Sequence, residues 1–368
     1  MKNNKIYLLA EIPDKRFNAG EKARNDVLSI ASNKGISNIT FFYKGENKIL
    51  VLFRIIIAFL KLLFIVKETD IIIIQYPYYP ITVYKIIYNL LNFITKIKKA
   101  RKIAIIHDLN FLRNILSKEN ELKKEFKQYS INSELTILNR FDSIICHNDS
   151  MKNELIKGGI CEEKLVNLEI FDYIYDNNIP SRVFDSNKIK ITIAGNLSKS
   201  KSKYIYELDK LLKNKIEFEL YGAGYEESEK VKKVTYNGKV SPDKLPKIME
   251  GNFGLVWDGS SLASCDGVMG RYLRYNNPHK ASLYIASGLP LVVWNNSAIA
   301  KFVKKHNIGI SIDSLFELEY KLENLTEEDY SQMIRNINSI RDKLTTGYYL
   351  STAIEKAVKV VGNREEMY

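Results

Sequence analysis

Two titratable side chains, His107 and Asp108, stand directly after the apolar run Lys102–Ile106. Nearly continuous apolar runs are typical of parallel strands buried on both faces, and ligands bind beyond the carboxyl ends of such strands. Either side chain could accept a proton from an attacking hydroxyl, because imidazole titrates near neutral pH and burial makes a carboxylate more basic. The pair could equally be structural, with His107 packed in the core and Asp108 capping the next helix.

A second candidate site is the turn AGNLSKSKSK, residues 194–203, which follows the apolar run Ile189–Ile193. Backbone amides at a helix start, together with Lys199 or Lys201, can bind a diphosphate. The turn matches neither GxxxxGK[ST] nor GxGxxG. This argues against a P-loop kinase or ATPase and against a hydride-transferring dehydrogenase.

The segment RYNNPHK, residues 274–280, leads directly into an apolar helical stretch and the strand-like run LPLVVW. Asn276 or Asn277 suits a helix cap, and Pro278 suits the first helical turn. Lys280 lies in that turn, where the positive end of the helix dipole disfavours a cation unless an anion compensates. We therefore expect an anion at this helix start.

Near the N-terminus, the segment NAGEKARND (Asn18–Asp26) follows the first strand-like run. Gly20 would allow close approach of the backbone to a ligand, and Lys22 and Arg24 add positive charge at the start of a helix. An ordinary polar helix start with solvated charges explains the same residues equally well.

Strand-like runs alternate with helical stretches in both halves of the chain, which predicts an α/β fold with doubly wound sheets. The polar stretch Asp172–Lys188 predicts a linker. We predict two Rossmann-like domains facing an interdomain cleft, over residues 1–178 and 179–345. A terminal helix in 346–368 would cover its own domain or cross back to the first. The runs are Lys5–Ala10, Asp70–Tyr76, Lys102–Asp108, Asp142–Asn148, Ile189–Leu197, Ile216–Gly224, Phe253–Gly259, Leu289–Trp294 and Ile308–Ile312.

The chain is basic, with 55 Lys and Arg against 43 Asp and Glu and a net charge of +12. Such a balance fits nucleic acid, an anionic membrane or an anionic substrate, but no nucleic-acid-binding motif accompanies it. Cys146, Cys161 and Cys265 have no CxxC spacing, so neither a zinc site nor a disulfide framework is indicated. We expect a cytoplasmic protein, since the N-terminal apolar run is too short for a signal peptide.

One segment, Ile49–Val66, approaches the ~20 apolar residues that span a bilayer. Arg54 and Lys61 are seven residues apart and share one helical face, which favours a helix with a polar edge. A core helix is the simplest interpretation, an in-plane membrane contact is the second, and a span is the least favoured. The basic run Lys96–Lys102 would suit an anionic membrane surface.

Seven segments together resemble the motif series of a bacterial GT-B glycosyltransferase family. This family contains β-1,6-galactofuranosyltransferases of surface polysaccharide assembly and glucosyltransferases that extend N-acetylglucosamine on serine-rich adhesins. The NNPHK block is the most specific match, and the glycine pairs are the least. The matches run in order from Asn18 to about Tyr348, and the quoted segments are NAGEKARND, HDLNFLR, FDSIICHN, IFDY, AGNLSKSK, FGLVWDG and RYNNPHKASLYIASGLPLVVW.

The resemblance implies a metal-independent, inverting transfer from a UDP-sugar in the cleft, with no cofactor and with UDP mainly on the second domain. Asp108 is the first candidate for the base, His107 the second and Asp149 the third, and Asn18 and Lys22 are placed on the acceptor side. The family often has Arg where Lys199 stands, and Lys lacks the bidentate fork of Arg, so Lys201 is an alternative phosphate ligand. The predicted donor-binding residues are Gly20, Gly195, Asn196, Leu197, Lys199, Lys201, Tyr221, Asn277 and Lys280.

The expected partners are a UDP-sugar and either a lipid-linked oligosaccharide or a glycosylated protein as acceptor. UDP-galactofuranose is the first donor and UDP-glucose the second. The enzyme would lie in the cytoplasm, on the inner face of the membrane, and could form a homo-oligomer. A non-catalytic nucleotide-sugar-binding protein and a membrane-assembly protein are the remaining alternatives.

Overall fold

A computed structural model describes residues 4–12, 19–42, 48–77, 81–116, 133–176, 178–211, 215–229 and 231–363. Within these residues the chain forms two six-stranded sheets whose paired strands are all parallel. This architecture confirms the predicted fold class of two doubly wound, Rossmann-like domains.

The N-terminal sheet has the strand order β2-β1-β3-β4-β5-β6. Every residue of the third strand, IIIIQY, is buried, as expected for a central strand covered by helices on both faces. The strands are β1 (Ile6–Ile12), β2 (Ser37–Phe42), β3 (Ile71–Tyr76), β4 (Arg101–Ile106), β5 (Ser143–Cys146) and β6 (Leu165–Asn167). The helices are α1 (Ala19–Asn33), α2 (Lys48–Ile65), α3 (Ile81–Lys98), α4 (Asn110–Leu116), α5 (described over 133–139) and α6 (Asp149–Lys157).

The C-terminal sheet has the order β12-β11-β10-β7-β8-β9, so its strand order reverses between β7 and β10. Ligands of open α/β sheets bind at such a reversal. The strands are β7 (Ile189–Asn196), β8 (Ile216–Ala223), β9 (Val234–Tyr236), β10 (Phe253–Val256), β11 (Leu291–Trp294) and β12 (Gly309–Ile312). The helices are α7 (Lys199–Ser202), α8 (Leu245–Ile248), α9 (Gly267–Tyr272), α10 (His279–Ala286), α11 (Ala298–His306), α12 (Leu318–Glu323), α13 (Glu327–Leu344) and α14 (Tyr348–Asn363).

The last helix, α14, packs against β5 and β6 of the N-terminal sheet. The Asp172 carboxylate accepts the backbone N–H groups of Tyr349 at 3.1 Å and Leu350 at 2.6 Å, which satisfies two otherwise unpaired donors at the helix start. Gly347 lies at φ +84°, and a Cβ there would meet the Ile30 side chain at 2.6 Å. The chain thus returns to the first domain through a close backbone contact. The domain limits at 178 and 345 remain predictions.

The apolar helix α2 lies alongside α3 on the N-terminal domain. Its residues Ile55, Phe59 and Leu62 are buried, which gives the helix a core-facing side. Of the helices in the described ranges, none combines the length and apolar character that crossing a membrane requires.

Candidate active site

A cavity of about 700 Å³ lies where the carboxyl ends of the two sheets face each other. Its size is in the range of small-molecule sites. The first domain contributes residues from α1 and from the loop and helix after β4, while the second contributes the turns after β7, β8 and β10 and the start of α10. The polar and glycine residues that line it include Gly20, Arg24, His107, Asp108, Arg113, Gly195, Asn196, Lys201, Tyr221, Gly222, Lys239, Asp258, Asn277, His279 and Lys280.

The predicted site residues divide into three groups. Nine of them line the cavity: Gly20, His107, Asp108, Gly195, Asn196, Lys201, Tyr221, Asn277 and Lys280. Four others do not: Lys22, Asp149, Leu197 and Lys199. Asn18 lies outside the described residues.

Two glycines form the floor of the cavity at the ends of β7 and β8. Gly195 has φ +131° and Gly222 φ +150°, and a Cβ on Gly222 would stand 1.8 Å from the Gly195 carbonyl oxygen. Only glycine fits such a conformation and contact. The Asn196 side chain accepts the Ser198 backbone N–H at 3.0 Å, which fixes the turn. The backbone at these strand ends is therefore open to a ligand.

The two lysines of the following turn have different surroundings. Lys199 pairs with Glu226 at 2.9 Å and with Glu229, and these hydrogen bonds raise the pKa of Lys199 to about 12. Lys201 lines the cavity. Of the two predicted phosphate ligands, Lys201 is the one that faces the ligand space.

Lys280 projects from the first turn of α10 and is largely buried. Its ammonium group donates to the Trp257 carbonyl at 2.9 Å and to Asp258 Oδ1 at 2.8 Å. The protein thus supplies an anion for this lysine itself, from the strand end of β10. Since an ammonium has three N–H donors, one remains for a ligand.

Asp108 and His107 extend the end of β4 into the cavity. Asp108 accepts a hydrogen bond from Arg113 at 2.6 Å, one turn along α4. Burial raises the pKa of Asp108, and the charge of Arg113 opposes that shift. His107 Nε2 lies 2.8 Å from the Gln75 side-chain oxygen, and burial holds the His107 pKa well below its usual range. Both predicted bases therefore line the cavity, and Asp108 stays the first candidate.

The buried Glu134 fixes the loop that carries these two residues. Its carboxylate accepts the N–H of Phe111 at 2.5 Å and of Asn110 at 3.3 Å, and also the Tyr76 hydroxyl at 2.9 Å. It therefore caps the start of α4 from outside the helix. Its position in the sequence, some 25 residues from the helix it caps, gave no signal of this role.

Two further cations line the cavity: Arg113, which ends the quoted segment HDLNFLR but was not singled out as a site residue, and Lys239, which lies in no quoted motif. The Arg24 guanidinium also faces the cavity, donating to the Pro77 carbonyl at 2.6 Å. Together with Lys201 and Lys280 they outnumber the lining carboxylates Asp108 and Asp258. The site therefore favours an anionic ligand. Among the described residues no cluster of three or more His, Cys, Asp or Glu side chains could hold a metal ion.

Comparison with known proteins agrees with this geometry. Residues 5–170 match the N-terminal and residues 191–357 the C-terminal domain of the "Glucosyltransferase 3-like" family. The chain is 30% identical over 356 residues to β-1,6-galactofuranosyltransferase WbbI of Escherichia coli (strain K12), covering 96% of this chain and 98% of that protein. It is 26% identical over 272 residues to glucosyltransferase 3 of Streptococcus gordonii, covering 73% and 75% of the two chains.

The solved structure of the lipopolysaccharide outer core galactosyltransferase WaaB in its apo form shares the fold. It superposes with a TM-score of 0.58 at 12% identity, covering 96% of this chain and 99% of that one. The GT-B architecture predicted from the motifs is thereby confirmed. The chain belongs to the glucosyltransferase 3-like family and is a glycosyltransferase.

Proposed function

We propose that this enzyme transfers galactofuranose, with inversion, from UDP-galactofuranose to a hydroxyl of a lipid-linked oligosaccharide in cell-surface polysaccharide assembly. The observation that carries the proposal is a cationic, glycine-floored cavity with a carboxylate, Asp108, on its opposite wall. The relative WbbI, which is matched over almost its entire length, supports the choice of sugar.

The departing UDP would lie against the second domain. Negative charge develops on the diphosphate as the bond from the sugar breaks, and fixed donors in a dry site stabilise it. Lys201, Lys280 and the backbone at Gly195 line the cavity and would act as these donors, and Lys280 would keep both of its protein contacts while donating its third N–H. These donors would replace the electrostatic role of a metal ion, so we propose a metal-independent reaction.

Asp108 would accept the proton of the acceptor hydroxyl as that oxygen attacks the anomeric carbon. The bond from carbon to the diphosphate oxygen breaks on the opposite side, so the anomeric configuration inverts. Burial makes Asp108 more basic than a solvated carboxylate, while Arg113 keeps it ionised. Asp149 is a less suitable base, because it does not line the cavity and its carboxylate accepts a hydrogen bond from the Asn167 side chain at 2.5 Å.

A donor and acceptor screen tests the proposal. We expect transfer from UDP-galactofuranose to a lipid-linked oligosaccharide, with inversion read by NMR of the product. Transfer of glucose from UDP-glucose to an N-acetylglucosamine-bearing peptide would instead support the second function that the family resemblance implies; the streptococcal relative is named a glucosyltransferase. UDP binding without turnover of any donor would favour a non-catalytic binding protein.

We also propose that the enzyme rests on the anionic inner leaflet of the cell membrane through an α2–α3 surface. Eleven of the eighteen large apolar side chains that are exposed in the described ranges belong to these two helices. Patches of this kind mark protein or membrane contacts. The surface comprises Ile49, Leu50, Leu52, Phe53, Ile56, Ile57, Leu60 and Phe64 of α2 and Ile86, Phe93 and Ile97 of α3.

The charge of α2 and α3 favours a bilayer over a second copy of the chain as the partner of the α2–α3 surface. The sequences of α2 and α3 contain six Lys or Arg residues and no Asp or Glu. In a two-fold symmetric dimer through these helices, two basic helix pairs would face each other, whereas a Lys or Arg that lies near an anionic leaflet gains about 1 kcal/mol. An acceptor carried on a membrane lipid would then reach the cavity without leaving the bilayer surface.

Vesicle flotation tests this contact. The wild type should float with phosphatidylglycerol vesicles and not with phosphatidylcholine alone, and the double variant Phe53→Glu/Phe64→Glu should stay at the bottom. Phe316→Glu, at a similarly exposed position of the second domain, is the matched control. A dimer in sedimentation velocity that the same double variant abolishes, without flotation of the wild type, would assign the surface to self-association.

A further inference from the structure

The buried His147 connects the two walls of the cavity. It follows β5 in the first domain and is 1% exposed. Its ring Nδ1 accepts the backbone N–H of Asn277, in the second domain, at 3.0 Å. Its ring Nε2 lies 3.0 Å from the carbonyl oxygen of Ile106, at the end of β4.

These two contacts define one protonation state of the ring. A backbone N–H only donates and a carbonyl only accepts, so Nδ1 is bare and Nε2 carries the proton. Burial lowers the pKa of His147 to about 4, which keeps the ring neutral throughout the neutral pH range. The imidazole is therefore a fixed bridge and not a proton carrier.

The side chain of Asn277 is committed to the same junction. Its amide nitrogen donates to the carbonyls of His147 at 3.0 Å and Glu169 at 2.7 Å. Its amide oxygen accepts from Asn148 at 2.8 Å. Both N–H donors and the carbonyl are thus used by the first domain, which leaves little of this amide for a donor sugar.

The bridge joins the two segments that carry the proposed chemistry. Ile106 directly precedes His107 and Asp108, while Asn277 stands three residues before Lys280. Ring and amide together therefore set the spacing between the base loop and the helix start that would hold the diphosphate. An in-line substitution needs the attacking oxygen, the anomeric carbon and the leaving oxygen to lie on one line. Misplacing a reacting group by 1 Å can cost about 100-fold in rate.

We propose that His147 and Asn277 are positioning residues that align the base loop with the diphosphate site across the domain junction. The inference rests on the proposed transferase function for its kinetic consequence. It reassigns Asn277 from donor binding to positioning.

Two conservative variants separate the two contacts of the ring. His147→Gln keeps an amide donor near the Ile106 carbonyl and disturbs the acceptor for Asn277. His147→Asn keeps an acceptor near the Asn277 N–H and loses the bond to Ile106. If the bridge positions the site, each should lower kcat at least 10-fold, while the Kd for UDP in calorimetry stays within about twofold.

His306→Gln is the matched control, because His306 does not line the cavity and sits on α11 against Phe302. It should leave kcat within about twofold, whereas Asn277→Ala should lower kcat as His147→Asn does. The kcat of the double variant His147→Asn/Asn277→Ala should be little lower than that of either single variant, because both substitutions disrupt the same bridge. Unchanged kcat in the His147 variants, or a loss confined to UDP affinity, would overturn the proposal.

Hydrogen exchange separates this proposal from the proposed function. In His147→Asn, peptides covering residues 105–110 and 275–281 should exchange faster, while the core of each sheet keeps its protection. If the wild type transfers no sugar but these peptides respond, the transferase proposal fails and the bridge stands. If neither segment responds in a folded variant, the bridge fails whatever the activity.

Discussion

Replacement of Lys280 gives the sharpest test of where UDP binds. Lys280 lines the cavity, and its Nζ contacts Asp258 and the Trp257 carbonyl, which leaves one of its three N–H donors for a ligand. A charge-assisted hydrogen bond to a phosphate is worth about 1.5–3 kcal/mol. Lys280→Met should therefore weaken UDP binding roughly 10- to 150-fold in calorimetry.

The same variant should also lower the stability of the protein, for a separate reason. The Asp258 side chain is 7% exposed, and loss of its partner leaves a buried charge uncompensated, at a cost of about 3–5 kcal/mol. Lys280→Met/Asp258→Asn removes both charges, so its free energy of unfolding should recover most of that loss. Its UDP affinity should stay low, because the lysine that would bind the phosphate is still missing.

Lys199→Ala is the matched control, because it removes another lysine of the second domain that does not line the cavity. Lys199 pairs with Glu226 and Glu229 on the surface, where ion pairs contribute about 0–1 kcal/mol. Its UDP affinity should stay within about twofold of wild type. Wild-type affinity in Lys280→Met, or a larger loss in Lys199→Ala, would refute this placement of the diphosphate.

Three further predictions concern the base, the metal and pH. Asp108→Asn should depress transfer about 100-fold or more with UDP affinity nearly intact, and near-normal turnover would pass the role to His107. A chelator should leave initial rates within about twofold, and full dependence on manganese or magnesium would refute metal independence. Burial raises the pKa of Asp172 to about 7, above its unfolded value of 3.8, so its folded form binds more protons. The contribution of Asp172 to the Tm should therefore fall as pH rises from about 4 to about 7, and Asp172→Asn should flatten that dependence.

The strands of both sheets could be predicted because their signal is local. The run predicted over Lys102–Asp108 forms β4 over Arg101–Ile106, and the run over Asp142–Asn148 forms β5 over Ser143–Cys146. Continuous burial requires continuous apolar sequence, so the pattern is readable without the rest of the chain. The polar residues left beyond each strand end, among them His107 and Asp108, were then expected at the cleft.

The direction of individual side chains could not be predicted in the same way. Lys199 and Lys201 are two positions apart on one helical turn, so their side chains diverge by about 200°. Which of them faces the cavity depends on Glu226 and Glu229, which attract Lys199 from a loop some 30 residues away. The sequence offers no local sign of that attraction.

The sequence predicted an anion beside Lys280, but it did not indicate that the protein itself supplies that anion. A cation at a helix start does require an anion nearby, and the structure provides Asp258 from the end of β10. The pairing depends on β10 and α10 being adjacent in space. The proposed ligand phosphate would then be an additional partner of Lys280 and not its first.

The contacts around the cavity indicate that its geometry belongs to both domains jointly. The Tyr272 hydroxyl of the second domain accepts the Leu109 N–H at 2.9 Å, next to the candidate base, and Arg271 donates to the Leu116 carbonyl at 2.5 Å. The loop after β4 is thus held from its own domain by Glu134 and from the opposite domain by α9. Since buried donors are costly to leave unpaired, separating the domains would release this loop from α9 and the start of α10 from His147. Asp108 and Lys280 can therefore face one substrate only while the two sheets stay joined.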